Sequence, residues 1–280
     1  MRSRLLSRRS ILLLAGAVAA LAPVRPAAAE TVTMRVGTPP SHALGRQAAP
    51  PPVKPPEAYV VETDEDIAID GRLSEAAWKS AARADMGRTL DGTAAAAQPT
   101  AVRLLRTGDG MLYVGIRCGE PKMGQVRAGK TGRDLTIWTD DSVEIFIGPA
   151  GGAYYRFGTN VAGAVVDGRG KDDSWNAPFK VAVTRGEDRW TAEFALPLAK
   201  MSDGKVPAEW RANFNRTRYA GTGGQEFAWS PTFSGNSHSP GRFGKLFLKN
   251  PPAKAVGKAE DKGLPVEIAP ADDGVATVSV

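Results

Sequence analysis

The chain has 280 residues, of which 24% are charged, and a formal net charge of +6. Five arginines and no acidic residue lie in residues 1–29, so the remainder carries a net charge of only +1. Without a basic stripe in that remainder, we predict no nucleic-acid partner. Cys118 is the only cysteine, which excludes an internal disulfide. We expect it to be a small buried hydrophobe, because no sequence feature ties either histidine to it as a catalytic base.

Residues 1–29 are typical of a signal peptide. An arginine-rich start precedes an apolar run at residues 11–21 and three alanines at residues 27–29, where a signal peptidase would cut. The Arg8-Arg9 pair indicates twin-arginine export. We therefore predict a periplasmic or secreted protein, with an uncleaved anchor as the alternative. The apolar run is too short to cross a membrane and no later run is apolar enough, so no membrane span is predicted.

Proline-rich segments divide the rest of the chain. Residues 30–56 form a linker whose Pro-Pro pairs favour extended polyproline, and a similar segment begins at Pro251. Between them, residues 57–249 have the length of one β-domain. Residues 250–280 form a second linker and a tail. The β-prone end of the tail, residues 275–280, either adds an edge strand or stays loose.

Within residues 57–249 the pattern is one of short β-prone runs separated by turn signals. A brief helix at residues 75–82 is predicted to bury Trp78. Many short strands with almost no helix predict an all-β fold, an antiparallel, jelly-roll-like β-sandwich with one or two short helices. The predicted strands are 59–61, 67–69, 101–106, 112–118, 143–147, 154–159, 164–166, 179–184, 190–194, 213–219, 227–229 and 245–248.

The central stretch is Ile-Trp-Thr-Asp-Asp-Ser-Val-Glu-Ile-Phe-Ile at residues 137–147. Val143, Ile145 and Ile147 share one face by period two, and Trp138 and Glu144 share the other. An indole covers the C–H face of a sugar, and a carboxylate accepts hydrogen bonds from its hydroxyls. Residue types alone nevertheless favour a packing role for the tryptophan and a solvated glutamate.

Several motifs in a fixed order resemble the family 9 carbohydrate-binding modules, over residues 57–249. The resemblance implies a β-sandwich that holds a sugar between two tryptophans, reads its hydroxyls with polar side chains and often contains structural calcium. The motifs are Ile-Asp-Gly-Arg-Leu-Ser-Glu-Ala-Ala-Trp at 69–78, Leu-Tyr-Val at 112–114, the stretch at 138–147, Trp-Thr-Ala-Glu-Phe-Ala-Leu-Pro at 190–197, Asn-Phe-Asn-Arg at 213–216, Trp-Ser-Pro at 229–231 and Arg-Phe-Gly-Lys-Leu at 242–246.

The resemblance also implies roles for single residues. Trp138 matches the first clamping tryptophan, Glu144 a hydroxyl-binding acid and Asn160 a sugar-contacting asparagine. The arginine expected two residues before that asparagine is Gly158 here, and Arg156 is a nearby substitute.

The second clamping tryptophan is replaced by Ser237, beside His238. The loop therefore offers an imidazole where the family has an indole. Trp175 follows an acidic loop, and two roles for it remain open: a second ring for the ligand, or a lid over the core.

Other polar residues have structural alternatives. Arg216 and Arg218 are two residues apart on one predicted strand, so their side chains point to the same face of the sheet. They fit an anionic sugar, although a salt-bridged sheet face is favoured. Four acids are weak calcium candidates, but they lack the spacing of a dedicated calcium loop, so solvated loop acids are favoured. They are Asp140, Asp141, Asp172 and Asp173.

We therefore expect a non-catalytic module that binds an oligo- or polysaccharide. Its ligand-binding residues are expected to be Trp138, Glu144, Asn160, Trp175, Arg216, Arg218 and His238. One alternative is a component of a glycan-active hydrolase. A second is a haem-binding redox sandwich, with His238 and a methionine as axial ligands, and a third is an envelope interaction protein whose site no longer binds sugar.

Overall fold

Short β-strands make up almost all of the regular structure. The computed structural model describes residues 54–249 and 276–279, all within a unit that spans Pro50–Val280. The strands are β1 Glu57–Tyr59, β2 Val61–Glu62, β3 Ala82–Arg83, β4 Arg88–Thr89, β5 Thr100–Arg106, β6 Met111–Gly119, β7 Ser142–Pro149, β8 Tyr155–Asn160, β9 Val165–Arg169, β10 Lys180–Arg185, β11 Arg189–Pro197, β12 Glu209–Arg218, β13 Gln225–Ala228, β14 Gly244–Phe247 and β15 Ala276–Ser279. The helices are single 3-10 turns at Ala76–Lys79, Met123–Gln125, Ile137–Thr139, Leu198–Met201 and Pro240–Arg242. None of these turns has the length or the hydropathy needed to cross a membrane.

The described strands form two sheets. Sheet A has the order β1-β14-β12-β7-β8-β9, and β13 and β4 continue from β12 as a branch. Sheet B has the order β15-β10-β11-β6-β5-β2, with β3 also paired to β5. All pairs are antiparallel except β1 with β14 and β2 with β5, which are parallel. The predicted all-β sandwich is confirmed, with these two short parallel pairs added at its edges.

Alternation along the strands builds the core between the sheets. Sheet A contributes inward-facing Val143, Ile145 and Ile147, as their spacing predicts. Sheet B contributes residues such as Ile116 and Phe194 to the same cluster. Cys118 lies in this core, fully buried and unpaired, and burial raises the pKa of its thiol to about 12. The thiol is therefore a packing group, as predicted.

Two local predictions near the start of the domain are wrong. Residues 67–69 form no strand, because carboxylates take up the backbone donors of this segment in place of a neighbouring strand. Ala68 N–H donates to Glu75 Oε1 at 3.0 Å, and Asp70 N–H donates to Glu193 Oε2 at 3.1 Å. The helix predicted at residues 75–82 is only the turn Ala76–Lys79, although it buries Trp78 as expected.

The end of the chain settles one open alternative. Strand β15 pairs antiparallel with β10, so the tail adds an edge strand to sheet B. The predicted signal peptide at residues 1–29, nearly all of the predicted linker at residues 30–56 and the second linker lie outside the described residues.

Candidate functional site

A buried turn residue directs Trp138 outward. Ile137 is fully buried and packs with Ala164 and Val166, so the next residue of the 3-10 turn faces solvent. Trp138 is 36% exposed, and the only other exposed large hydrophobic residue among those described is Val206. A single exposed indole is normal on a protein surface, so its neighbours decide whether it belongs to a candidate site.

Arg156 links the indole to the outer face of sheet A. It lies opposite Phe146 in the β7–β8 register, on the face away from the core. Its guanidinium carbon is 5.3 Å from the centre of the Trp138 ring, within the range of a cation–π contact. Its Nη2 donates to Asp173 Oδ1 at 2.7 Å, and its Nε lies 3.9 Å from Glu144 Oε1. One nearly buried cation thus organises the aromatic ring and two carboxylates.

Glu144 lies on this outer face with unused hydrogen-bonding capacity. Burial raises the pKa of its carboxyl to about 7, Arg156 lowers it, and Glu226 and Asp173 raise it further. No described residue donates a hydrogen bond to this carboxylate within normal distance. A carboxylate that accepts no hydrogen bond from the protein is free to accept one from a ligand hydroxyl.

Asn215 has the same property. It lies directly opposite Glu144 in the β7–β12 register and is nearly buried. Neither its amide oxygen nor its amide nitrogen has a hydrogen-bond partner among the described residues, and the same holds for Arg156 Nε. A carboxylate, an amide and a guanidinium N–H beside one exposed ring together offer both donors and acceptors to a polar ligand.

His238 lies on a loop next to this cluster. Its ring lies 5.1 Å from Phe146 in an edge-on contact, and its Nδ1 is 2.9 Å from the Tyr154 hydroxyl. Burial and then the nearby Arg156 lower the pKa of the imidazole, so the neutral ring is favoured at neutral pH. The imidazole thus lies at the edge of the candidate site.

A hollow of about 490 Å³ lies across β12 and β13, and Trp138, Glu144 and Arg156 are not among the residues that line it. Thr217, Tyr219 and Glu226 line it together with Gly235, which belongs to the loop that carries His238. Tyr219 also contacts the turn that carries Trp138, because its hydroxyl donates to the Trp138 backbone carbonyl at 3.3 Å. The volume is within the usual range for small-molecule sites.

Asn160 is not available to a ligand in this structure. It is fully buried, and its side-chain nitrogen donates to the Lys130 carbonyl and to Asp140 Oδ2. Its side-chain oxygen accepts from the N–H groups of Ala162 and Ala164. The residue fastens two loops behind Trp138, so the predicted sugar contact is replaced by a structural role.

Arg216 and Arg218 lie on the wrong face of the sheet for the predicted site. Arg216 is opposite the core residue Val143, so its side chain points between the sheets. Both guanidiniums pair with the buried Glu120, at 3.2 Å from Arg216 Nη2 and 2.6 Å from Arg218 Nε. The favoured salt-bridge alternative is correct, inside the sandwich rather than on its surface.

Trp175 packs at the edge of the core. Its ring lies 4.6 Å from that of Tyr155 and 6.1 Å from that of Phe157, and both partners belong to the inner face of sheet A. Trp138 stands over Arg156, which is on the outer face. The structure therefore favours the lid role for Trp175.

The four candidate calcium acids make hydrogen bonds or ion pairs with other described residues. Asp140 Oδ2 accepts from Lys130 N–H and Asn160, and both oxygens of Asp141 accept backbone N–H groups. Asp172 serves its own turn, and Asp173 pairs with Arg156. In residues 54–249 no group of three or more His, Cys, Asp or Glu side chains is placed to hold a metal ion.

The fold is a β-sandwich, and the candidate site lies on the outer face of sheet A, where an exposed indole stands beside polar groups. A family model described as carbohydrate family 9 binding domain-like matches residues 69–251, and the chain belongs to this family. The resemblance inferred from the sequence motifs is thereby confirmed.

Solved structures support the same fold. A protein of Bacteroides uniformis ATCC 8492, described as a candidate carbohydrate-binding protein, is 17% identical, with a TM-score of 0.56 over 70% of this chain and 100% of its own. A family 9 carbohydrate-binding module of Caldicellulosiruptor kristjanssonii, in complex with cellotriose, is 18% identical, with a TM-score of 0.51. The alignment covers 75% of this chain and 99% of the module. The same module in complex with glucose is 18% identical, with a TM-score of 0.52. That alignment covers 70% of this chain and 97% of the module. A comparison with curated proteins found no match.

Proposed function

We propose that the protein binds a carbohydrate, without cleaving it, on the outer face of sheet A. In this proposal the sugar ring stacks on Trp138, and its hydroxyls bond to Glu144, Arg156 and Asn215. His238 borders the ring on the side where the family resemblance leads one to expect a second indole. Membership of the family supports the ligand class.

The observation that carries the proposal is the unused hydrogen-bonding capacity beside an exposed indole. The Asn215 amide and Arg156 Nε have no partner among the described residues, and each such group costs about 1–3 kcal/mol when it stays desolvated and unpaired. These atoms are closed to solvent in the free protein, so a hydroxylated ligand that stacks on the ring reaches them only when neighbouring side chains move aside, and it then supplies both donors and acceptors. An apolar ligand would leave these groups unsatisfied.

The electrostatics favour a neutral sugar at this site. Glu144, Asp173 and Glu226 place three carboxyl groups around a single nearby guanidinium, that of Arg156. An anionic ring would meet more repulsion than attraction there. Glucose and cellotriose, which the Caldicellulosiruptor kristjanssonii module binds, are suitable first probes.

The deciding experiment is calorimetric titration with glucose and cellotriose, followed by a glycan array. Trp138→Ala is expected to weaken binding at least about tenfold, which is 1.4 kcal/mol. Val206→Ala is the matched control, because it also truncates an exposed apolar side chain, 38% exposed, away from the site. Equal loss in both variants, or binding by Trp138→Ala as tight as that of the unmodified protein, would refute the proposed stacking.

A second pair of variants tests the polar contacts. Asn215→Ala removes both amide groups from beside Glu144 and should weaken sugar binding by about tenfold. The thermal midpoint should be unchanged or raised, since those groups bond to no described residue and are costly to bury. Gln125→Ala, which also removes a side-chain amide but at an exposed position in the turn Met123–Gln125, serves as its control.

The absence of catalysis is part of the proposal. Glycoside hydrolysis needs two carboxyl groups that flank the scissile bond. Asp140, which shares strand parity with Glu144, is nearly buried and accepts hydrogen bonds from Lys130 N–H and Asn160. Chromatography of cellotriose after long incubation with the protein should show no shorter products, and their appearance would overturn this part.

We further propose that the protein is exported and that residues 1–29 are removed. The support is the arginine-rich start and the apolar run of those residues. Mass spectrometry of protein recovered outside the cytoplasm should find Glu30 as the first residue. Replacing Arg8 and Arg9 together by lysine should retain the chain in the cytoplasm, whereas unchanged export would argue against the twin-arginine route.

A further inference from the structure

Four arginines form a row on the outer face of sheet B, opposite to the Trp138 site. They are far apart in the sequence and come from β3, β5, β6 and β11: Arg83, Arg103, Arg117 and Arg189. We call them the arginine row.

The strand register places these side chains next to one another. Arg83 is directly opposite Arg103, and Arg103 is opposite Gly115, two residues before Arg117. Arg189 is opposite Gly119, two residues after Arg117. All four therefore share the face away from the core, and diagonal neighbours of this kind are about 7–8 Å apart.

The acids of this face do not neutralise the row. Asp85 Oδ2 lies 2.6 Å from Arg83 Nη2 and Asp85 Oδ1 lies 2.8 Å from Arg103 Nη1, and Asp188 pairs with Arg189 at 3.0 Å. Arg117, in the middle, makes no ion pair with any described residue. Burial lowers the pKa of Arg117, and the positive charges of Arg189 and Arg103 lower it further.

A like-charged row on neighbouring strands destabilises a sheet unless something compensates it. The four arginines form ion pairs with two acids, and Arg117 at the centre is half-buried and forms none among the described residues. Glu193, a third acid on this face, is fully buried and accepts hydrogen bonds from Asp70 N–H and Gly71 N–H instead. Charges that reduce stability in this way are typical of binding surfaces, where the ligand supplies the missing counter-charge. Guanidinium groups suit carboxylate and sulfate partners because they bond to two oxygens at once.

The shape of the row favours one kind of ligand. It crosses four strands, about 14 Å at the usual strand spacing, so it matches a chain that bears several charges better than a single anion. The exposed large hydrophobic residues of the described chain are Trp138 and Val206, and neither lies on the strands of the row, so the row has no apolar anchor for a membrane. The row likewise has no aromatic platform of the kind that single-stranded nucleic acids stack on.

We propose that the outer face of sheet B binds a linear anionic polysaccharide, one bearing carboxylate or sulfate groups, through the arginine row. This site is separate from the neutral-sugar site on sheet A. The protein would then hold two different polysaccharides, or two regions of one polymer, on opposite faces of the sandwich.

The test uses the full chain without residues 1–29, with heparin and polygalacturonate as probes. Binding to at least one of them is expected and should weaken steeply between about 50 mM and about 200 mM salt, as for any polyanion held by cations. Arg117→Gln should weaken binding about tenfold or more, because it removes a charge-assisted contact. Arg211→Gln, a surface arginine of sheet A paired with Glu209, should change it less than about twofold.

Two further measurements separate this site from the others. Arg117→Gln should leave the thermal midpoint of the free protein unchanged or raised, since it relieves repulsion, so weaker binding is not a folding defect. Trp138→Ala should leave anionic binding unchanged. The proposal is wrong if neither polysaccharide binds, if Arg117→Gln and Arg211→Gln bind alike, or if duplex DNA or phosphatidylglycerol vesicles bind as tightly as the polysaccharides.

Discussion

Replacing Glu120 by glutamine should strongly destabilise the domain. Glu120 is fully buried between the sheets, where its carboxylate pairs with Arg216 and bonds to Arg218 through both oxygens, at 2.6 Å and 2.9 Å. The Glu120→Gln side chain has the same shape but no charge. Two guanidiniums then remain buried without a counter-charge, and one of their carboxylate acceptors becomes an N–H₂ donor.

The size of the effect follows from the burial of the partners. The arginine side chains are 0% and 5% exposed, so water does not replace the lost carboxylate. Removing one partner of a buried ion pair typically costs about 3–5 kcal/mol. Because glutamine keeps one acceptor oxygen, we expect about 3 kcal/mol, or a fall of about 6–12 °C in the thermal midpoint of a domain of this size.

Urea denaturation of the purified chain, followed by tryptophan fluorescence, measures this change. The matched control is Glu209→Gln, which removes a surface partner of Arg211 at 3.5 Å, where the two side chains are 41% and 36% exposed. The control should change the free energy of unfolding by less than about 0.5 kcal/mol. If Glu120→Gln costs no more than its control, the buried cluster does not carry the stabilising role inferred from its geometry.

Three further predictions concern other parts of the sandwich. Burial raises the pKa of Glu193 to about 7 from 4.5, so the folded state keeps a proton that the unfolded chain loses, and its contribution to stability falls as pH rises between these values. Glu193→Gln should remove this part of the pH dependence of the free energy of unfolding, up to about 3 kcal/mol between about pH 5 and about pH 8. Urea denaturation at several pH values measures it, and the same pH dependence in the variant and the unmodified protein would contradict the prediction. Cys118 should resist a thiol reagent in the folded protein and react in urea, because it is fully buried with a pKa raised to about 12; rapid modification of the native protein would show that the core opens. Gly71→Ala should lower the free energy of unfolding by more than about 1 kcal/mol, because Gly71 has φ +80° and a Cβ there would lie 2.9 Å from Thr184 N. The control is Gly87→Ala, where a Cβ meets nothing within 4 Å. Equal thermal midpoints for the two variants would refute the prediction.

The sequence alone predicted the central strand of the candidate site. Val143, Ile145 and Ile147 are apolar at every second position, so their face had to be the core and Glu144 had to point the other way. The outward position of Trp138 was left open, because a single aromatic residue before a strand is compatible with packing or exposure. Burial of Ile137 decided it.

Strand β12 was ambiguous because polar residues occupy both of its faces. Phe214 is the one large apolar residue among residues 213–218, and it shares parity with Arg216 and Arg218. Given more weight, that signal would have placed both arginines inside and Asn215 outside. The resemblance to the family implies a sugar contact for Asn160 instead, but the amide of Asn160 bonds to neighbouring loops.

The amino-acid sequence by itself determined the sandwich class, the family and the inward face of the central strand, because alternation and turn residues act between near neighbours. Only the tertiary structure placed Arg156 over Trp138, set Asn215 opposite Glu144 and brought Arg117 between two other arginines. Such contacts depend on the register between strands that are distant in the chain. That register is fixed by the packing of the whole core, which no single segment contains.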